Sequence, residues 1–279
     1  MANRSGFADD IRTAHRLARL LGQDSTMVGR MLAAGYEQST CRVQQLGIAS
    51  GKLPPQQMRQ MLDELTQMGD LPSSVECVDN GERFIGLDAL QALARASDEG
   101  RAELFNGLFN SNNPEAIFRF WPIDYDKCMG NLNRGYDDLI VALQKPTYAE
   151  RLQALDFVDL KLELVRRDGP VRMMLSSDWP SMMLLPGMNR AIERTESTNM
   201  QGRLTQLSLA LELFKSEHGN YPSSLTELVP SYLAAVPIDS FSCKPLMYQR
   251  SEKGYSLYSV GPNMNDDGGK EDDIVTGIP

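Results

Sequence analysis

Apolar residues recur every three to four positions through the first two-thirds of the chain. Ile11, Ala14, Leu17 and Leu21 form one stripe. Asp24-Ser25 reads as a cap for a second helix, with Val28, Met31, Leu32 and Tyr36 on a shared face. This spacing is that of amphipathic helices burying one side. Pro54-Pro55 opens a third helix that carries Met58, Met61, Leu62, Leu65 and Met68, and Gly69-Asp70-Leu71-Pro72 closes it. A further helix is predicted from about Ser74 to Ser97 through Phe84, Leu87, Leu90 and Leu93. Two more run over Asp126–Gln144 and Tyr148–Val165, separated by Pro146. Between them and the earlier helices lie the turn cluster Asn110–Asn113 and the aromatic stretch Phe118–Tyr125, read as interhelical packing or as a pocket wall. The methionine-rich segment Met173–Met188, broken by Pro180 and Pro186, reads as a packed connector.

The pattern changes near the end. A long helix from about Met188 to His218 carries Leu204, Leu207, Leu211 and Phe214 on one face. Gly219 sits where a left-handed cap belongs, and Pro222 forbids continuation. Ser224 to Glu227 matches a capping box over a short helical turn. After the turn Ile238–Phe241 the period drops to two. Leu246 and Tyr248 share one strand face, opposite Tyr255 and Leu257 across a Glu252-Lys253-Gly254 turn. Two strands are marginal by themselves, so they must pack on the preceding helix, and Asp272–Ile278 is predicted to return as an edge strand. The expected fold is mainly α. An antiparallel helical array (1–187) is joined by a long helix to a small α+β unit with a short antiparallel sheet (188–279).

Composition narrows the chemistry. The 279 residues carry a net charge of −9, which argues against a broad phosphate-binding surface and hence against nucleic acid. No apolar run reaches the length of a membrane span. The opening residues enter a helix almost at once and read as a segment cut from a longer protein. The four cysteines are far apart, and with only His15 and His218 no zinc-ligand spacing exists. Both histidines read as isolated, with His218 favoured by the end of its helix.

The acid-rich terminus is the one stretch with candidate metal chemistry. Asn263, Asn265, Asp267 and Gly268 imitate the first half of an EF-hand loop, but Ile274 stands where the bidentate glutamate belongs. Two readings stand: an oxygen cage using Asn263, Asp272 and Asp273, or a turn closed by Asx hydrogen bonds.

The helix ending in HGNYP, the following VPIDSFSCKPLMY, the strand YSLYSVGPN and the closing DDI resemble the globular part of the type II secretion major pseudopilins. That resemblance implies a calcium ion held by the Val260 carbonyl, Asn263, Asp272 and Asp273. Asn263 replaces the family's aspartate, and the spacer differs, offering Asn265, Asp266 and Asp267. Over its whole length the chain resembles large planctomycete-type envelope proteins with a membrane anchor, a helical middle and such a tail. This implies an extracytoplasmic location, a protein partner in the cell envelope, and membrane attachment only through an anchor absent from this chain. The expected function is a non-catalytic envelope or secretion-associated interaction protein with a calcium-stabilised loop. The alternatives are a small-ligand module using the aromatic stretch, and a hydrolase.

Overall fold

A computed structural model describes residues 4–101, 103, 123–167, 175–185 and 188–278. The chain is mainly helical with a small three-stranded antiparallel sheet. Helices α1 (Arg4–Leu21), α2 (Met27–Ala49) and α3 (Pro55–Met68) come first. The single turn α4 (Ser74–Cys77) passes through a π-turn at Val78–Glu82 into α5 (Arg83–Arg95). Helices α6 (Tyr125–Leu143), α7 (Tyr148–Arg167), α8 (Trp179–Leu184) and α9 (Met188–His218) follow. Strands β1 (Met247–Arg250), β2 (Tyr255–Ser259) and β3 (Ile274–Ile278) complete the fold. The turn cluster Asn110–Asn113, residues 118–122 of the aromatic stretch, and residues 173–174 and 186–187 of the connector lie outside the described residues.

The element boundaries follow local chemistry. Pro55 sits at the first turn of α3, and Gly69 ends it at φ 63° while donating to the Leu65 carbonyl. The cap of α2 is Thr26 rather than Asp24-Ser25: its hydroxyl accepts from Gly29 N–H, while Asp24 Oδ1 accepts from Thr26 N–H. The predicted Ser74–Ser97 helix is interrupted by the π-turn. There Gly81 presses on the Ser25 carbonyl so closely that a β-carbon would lie 1.5 Å from its oxygen. Gly219 takes φ 79° and donates to the Lys215 carbonyl, ending α9. The Ser224/Glu227 capping box forms over a 3-10 turn at Leu225–Leu228.

The core lies in two main apolar clusters. One gathers Met27, Leu90, Leu93, Leu132, Tyr136, Leu155 and Trp179 with Ala191 and Ile192 of α9. The other joins Ile11, Met58, Leu62 and Leu65 to Leu204, Leu207 and Leu211 of α9 and to Phe241, Tyr255 and Leu257. Thus α1 and α3 share a core with the sheet, and α9 runs through both clusters. The expected boundary at residues 187 and 188 falls at the start of that helix.

The sheet has order β1-β2-β3, with Tyr248 opposite Leu257 and Leu257 opposite Thr276. Leu257 is fully buried, and Thr276 Oγ1 lies 3.0 Å from Ser208 Oγ of α9. The sheet therefore uses the long helix as its missing layer, as so few strands require.

One predicted face is reversed. Val28, Met31, Leu32 and Tyr36 of α2 are exposed, and so is Leu17 of α1. The side of α2 that faces the core carries Ala33, Ala34, Cys41 and Ile48 together with Arg30, Glu37, Thr40 and Gln44. Small residues let α1 and α9 approach closely. His15 meets Glu37 and Gln44 Oε1 across the interface, and Thr40 donates to the Tyr36 carbonyl of its own helix. Arg30 Nε and Nη1 and Gln44 Nε2 are buried without a hydrogen-bond partner.

Candidate functional site

The C-terminal loop, residues 260–273, is held at both ends. Its first anchor is Asp239, whose side chain is wholly enclosed. Asp239 Oδ1 accepts from Phe241 N–H at 2.9 Å and from Ser242 N–H at 3.4 Å. Its other oxygen accepts from Val260 N–H at 2.9 Å. One carboxylate thus closes its own Asx turn and fixes the end of β2, where the loop begins. Tyr148 of α7 packs edge-on against Phe241, 4.7 Å between ring centres, and seals this corner.

The second anchor is close backbone approach. Gly261 has φ 67°, and a β-carbon there would lie 2.2 Å from the Asp272 carbonyl oxygen. Only glycine permits that contact without displacement. Met264, Gly268, Gly269 and Glu271 also have positive φ, so the chain doubles back sharply between the two ends.

Of the sequence-predicted residues, this folding brings Asn263 and Asp272 together, while Asp273 is held by Gly269 N–H. Asp272 Oδ2 accepts from Asn263 N–H at 2.7 Å, and its Oδ1 is bonded to Asn263 Nδ2. The same Nδ2 donates to Asp267 Oδ2 at 2.9 Å, while Asn263 Oδ1 accepts from Asn265 N–H at 2.6 Å. Asp273 Oδ2 accepts from Gly269 N–H at 2.7 Å; its Oδ1 is buried with no hydrogen-bond partner. Asp266 is bound differently, accepting from the Tyr258 hydroxyl at 3.0 Å and from Gly268 N–H. Val260 stands next to Gly261, on the segment that touches Asp272.

The hydrogen bonding is that of a turn closed by Asx bonds, and two carboxylates, Asp267 and Asp272, meet at Asn263 within it. Asp267 and Asp272 share a single neutral amide nitrogen, weak compensation for two negative charges. With the orphaned Asp273 oxygen the donors are all oxygen, the type a hard divalent cation such as calcium takes. Among the described residues, however, these three carboxylates do not converge into one metal-holding group. The misfit is Asn263, which turns its nitrogen rather than its oxygen toward the carboxylates.

A second polar cluster escaped the sequence reading. His15, read as isolated, is 1% exposed between α1 and α2. Its Nδ1 lies 2.8 Å from Glu37 Oε2, and its Nε2 lies 2.8 Å from Gln44 Oε1. Arg19 also pairs with Glu37 and donates to the Gly69 carbonyl. Burial works to raise the Glu37 carboxyl, but hydrogen bonding and charge from His15 and charge from Arg19 outweigh it, leaving it below the ordinary range. Burial and the neighbouring Glu37 push the Cys41 thiol up. The ligating atoms of His15, Glu37 and Cys41 lie within 4.8 Å of one another. Glu37 is already paired with the Arg19 guanidinium and hydrogen-bonded to His15, which ties α1 to α2 as a structural knot. The available signal was the seven-residue spacing of Arg30, Glu37 and Gln44, which places all three on one face.

His218, at the end of α9, stacks on Phe214 at 4.1 Å and contacts its carbonyl, a structural arrangement. All four cysteines are free; Cys41, Cys77 and Cys128 are buried, and Cys243 is exposed. Among the described residues no helix is long and apolar enough to cross a membrane. No protein-family model, curated protein or solved structure matches this chain.

Proposed function

We propose that this is a non-catalytic interaction protein of an extracytoplasmic compartment, whose pseudopilin-like C-terminal unit is locked by calcium. The reading is supported by the meeting of Asp267 and Asp272 at Asn263, beside a buried and unpartnered Asp273 oxygen, in a loop closed by Gly261. Asn263, Asp272, Asp273 and the Val260 carbonyl are the proposed ligands, as the family resemblance implies, and Asp267 joins them. Bound calcium would supply the positive charge this group of carboxylates lacks and would hold the loop against the end of β2. Calcium is plentiful outside the cytoplasm, so modest affinity suffices, with Kd in the range of about 0.1–1 mM typical of extracellular modules. The partner is proposed to be a protein of the cell envelope, which accords with the acidic net charge of −9.

A calorimetric titration of calcium into the full chain tests this, with magnesium as the control. One-site binding that is lost in Asp272→Asn and Asp273→Asn is the expected result. No heat of binding up to about 5 mM calcium, several times the weakest Kd expected, would overturn it.

A further inference from the structure

Helix α2 is amphipathic in the wrong sense. Its core-facing side holds Arg30, Glu37, Thr40 and Gln44, while Val28, Leu32, Tyr36, Val43 and Leu46 are 67, 54, 50, 49 and 67% exposed. With Ser39, these residues are spaced 4, 4, 3, 4 and 3 along the helix, which is the seam of a helix pair. Arg42 is the one charged residue among the exposed positions of α2. A solvated face of this length would ordinarily carry several charges.

We infer that this seam is a homodimer interface in which α2 packs antiparallel on α2 of a second copy. The order along the seam is Val28, Leu32, Tyr36, Ser39, Val43, Leu46, and it is self-complementary about its middle. A two-fold axis there sets Val28 against Leu46, Leu32 against Val43, and Tyr36 against Ser39 of the other copy. Each layer then matches a larger side chain with a smaller one, as close packing needs. The Ser39 hydroxyl already donates to the Gly35 carbonyl at 2.8 Å, so covering it with the tyrosine ring orphans no donor.

A parallel pair would fit poorly. It would stack Tyr36 on Tyr36 and leave a gap at Ser39, and it would bring the two Arg42 side chains together. In the antiparallel pair Arg42 lies at the level of Leu32 and Ala33 of the second copy. The two arginines are then about 14 Å apart along the axis, at 1.5 Å per residue.

The area accords with a second copy. Scaling the exposures of the five apolar seam residues and Met31 by ordinary side-chain areas leaves roughly 600 Å² of apolar surface per copy. That is about 1,200 Å² for the pair before any rim is counted, the lower end of a specific interface. The inference holds whether or not the terminal loop takes calcium.

Sedimentation velocity of the full chain from about 1 to 200 µM is the test, spanning the micromolar Kd that such an area supports. Dimers should accumulate across this range. Leu32→Glu and Val43→Lys each place a charge in the seam and should weaken association at least ~100-fold. Both side chains are exposed, so far-UV circular dichroism should stay unchanged, and so should melting at a concentration low enough that the wild type is monomeric. Mixing the two variants should restore a dimer, because the carboxylate introduced by Leu32→Glu in one copy then meets the ammonium introduced by Val43→Lys in the other. A monomer at all concentrations, or a dimer indifferent to Leu32→Glu, would overturn the interface. Failure of the mixture to associate would overturn the antiparallel register.

Discussion

Asp239 offers the sharpest energetic test of how the loop is anchored. Its carboxylate accepts from Phe241 and Val260 N–H, each at 2.9 Å, and more weakly from Ser242 N–H at 3.4 Å. Asp239→Ala leaves at least two buried amide donors without an acceptor. An orphaned buried donor costs about 1–3 kcal/mol, and more where the lost acceptor was charged, so the expected loss is about 3–5 kcal/mol. Asp239→Asn keeps one accepting oxygen, which can retain the Asx turn, but it turns an NH2 group toward Val260 N–H. About 2 kcal/mol is expected there, from one unmet donor. The assay is urea unfolding followed by circular dichroism, with an unchanged denaturant slope and a midpoint that falls in the order wild type, Asn, Ala. A cost below about 1 kcal/mol for Asp239→Ala, within the range of an ordinary surface substitution, would refute the reasoning. It would mean that the three amides find other acceptors.

The Glu37 carboxyl is lower in the folded chain than its ordinary value of 4.5, so it contributes stability above that pH and loses it as the pH falls through the folded value. Glu37→Gln should therefore flatten the acid side of a plot of melting temperature against pH, below the ordinary value of 4.5; an unaltered acid limb would count against the buried pair. Gly261→Ala meets both a positive φ and a carbonyl oxygen, whereas Gly219→Ala meets a positive φ in open space. The first should cost more than about 2 kcal/mol and the second about 1, as read from chemical denaturation; equal costs would remove the close contact with Asp272. A thiol reagent should modify Cys243 alone in the native chain and all four cysteines in denaturant, because Cys41, Cys77 and Cys128 are buried. Fast reaction at a second thiol would show that a helical interface opens.

Much of the fold was legible where one face alone is apolar. The α3 stripe, the Gly219 stop, the Ser224 capping box and the hairpin with its third strand follow from period and cap chemistry, although Leu246 falls before β1 and Tyr255 pairs with Arg250. Helix α2 was misread because apolar residues mark both of its sides, and the larger ones lie outward. The choice of face rests on His15, Glu37 and Gln44 meeting across an interface, a tertiary fact that propensity does not carry. Within the candidate site, the Asn263–Asp272 juxtaposition was reachable from an acidic, glycine-broken loop. The role of Asp239 was not: its Asx turn is a local signal, but the bond to Val260 N–H links residues distant in sequence.

Closure of the segment from Val260 to Ile274 by a divalent cation is the proposal on which the calcium reading rests. Amide hydrogen exchange of the full chain, with and without millimolar calcium, tests it most directly. Slower exchange confined to peptides covering Val260 to Ile274 is expected, with Asp272→Asn abolishing the effect. Unchanged exchange in that segment, or slowing spread evenly over the helices, would contradict it.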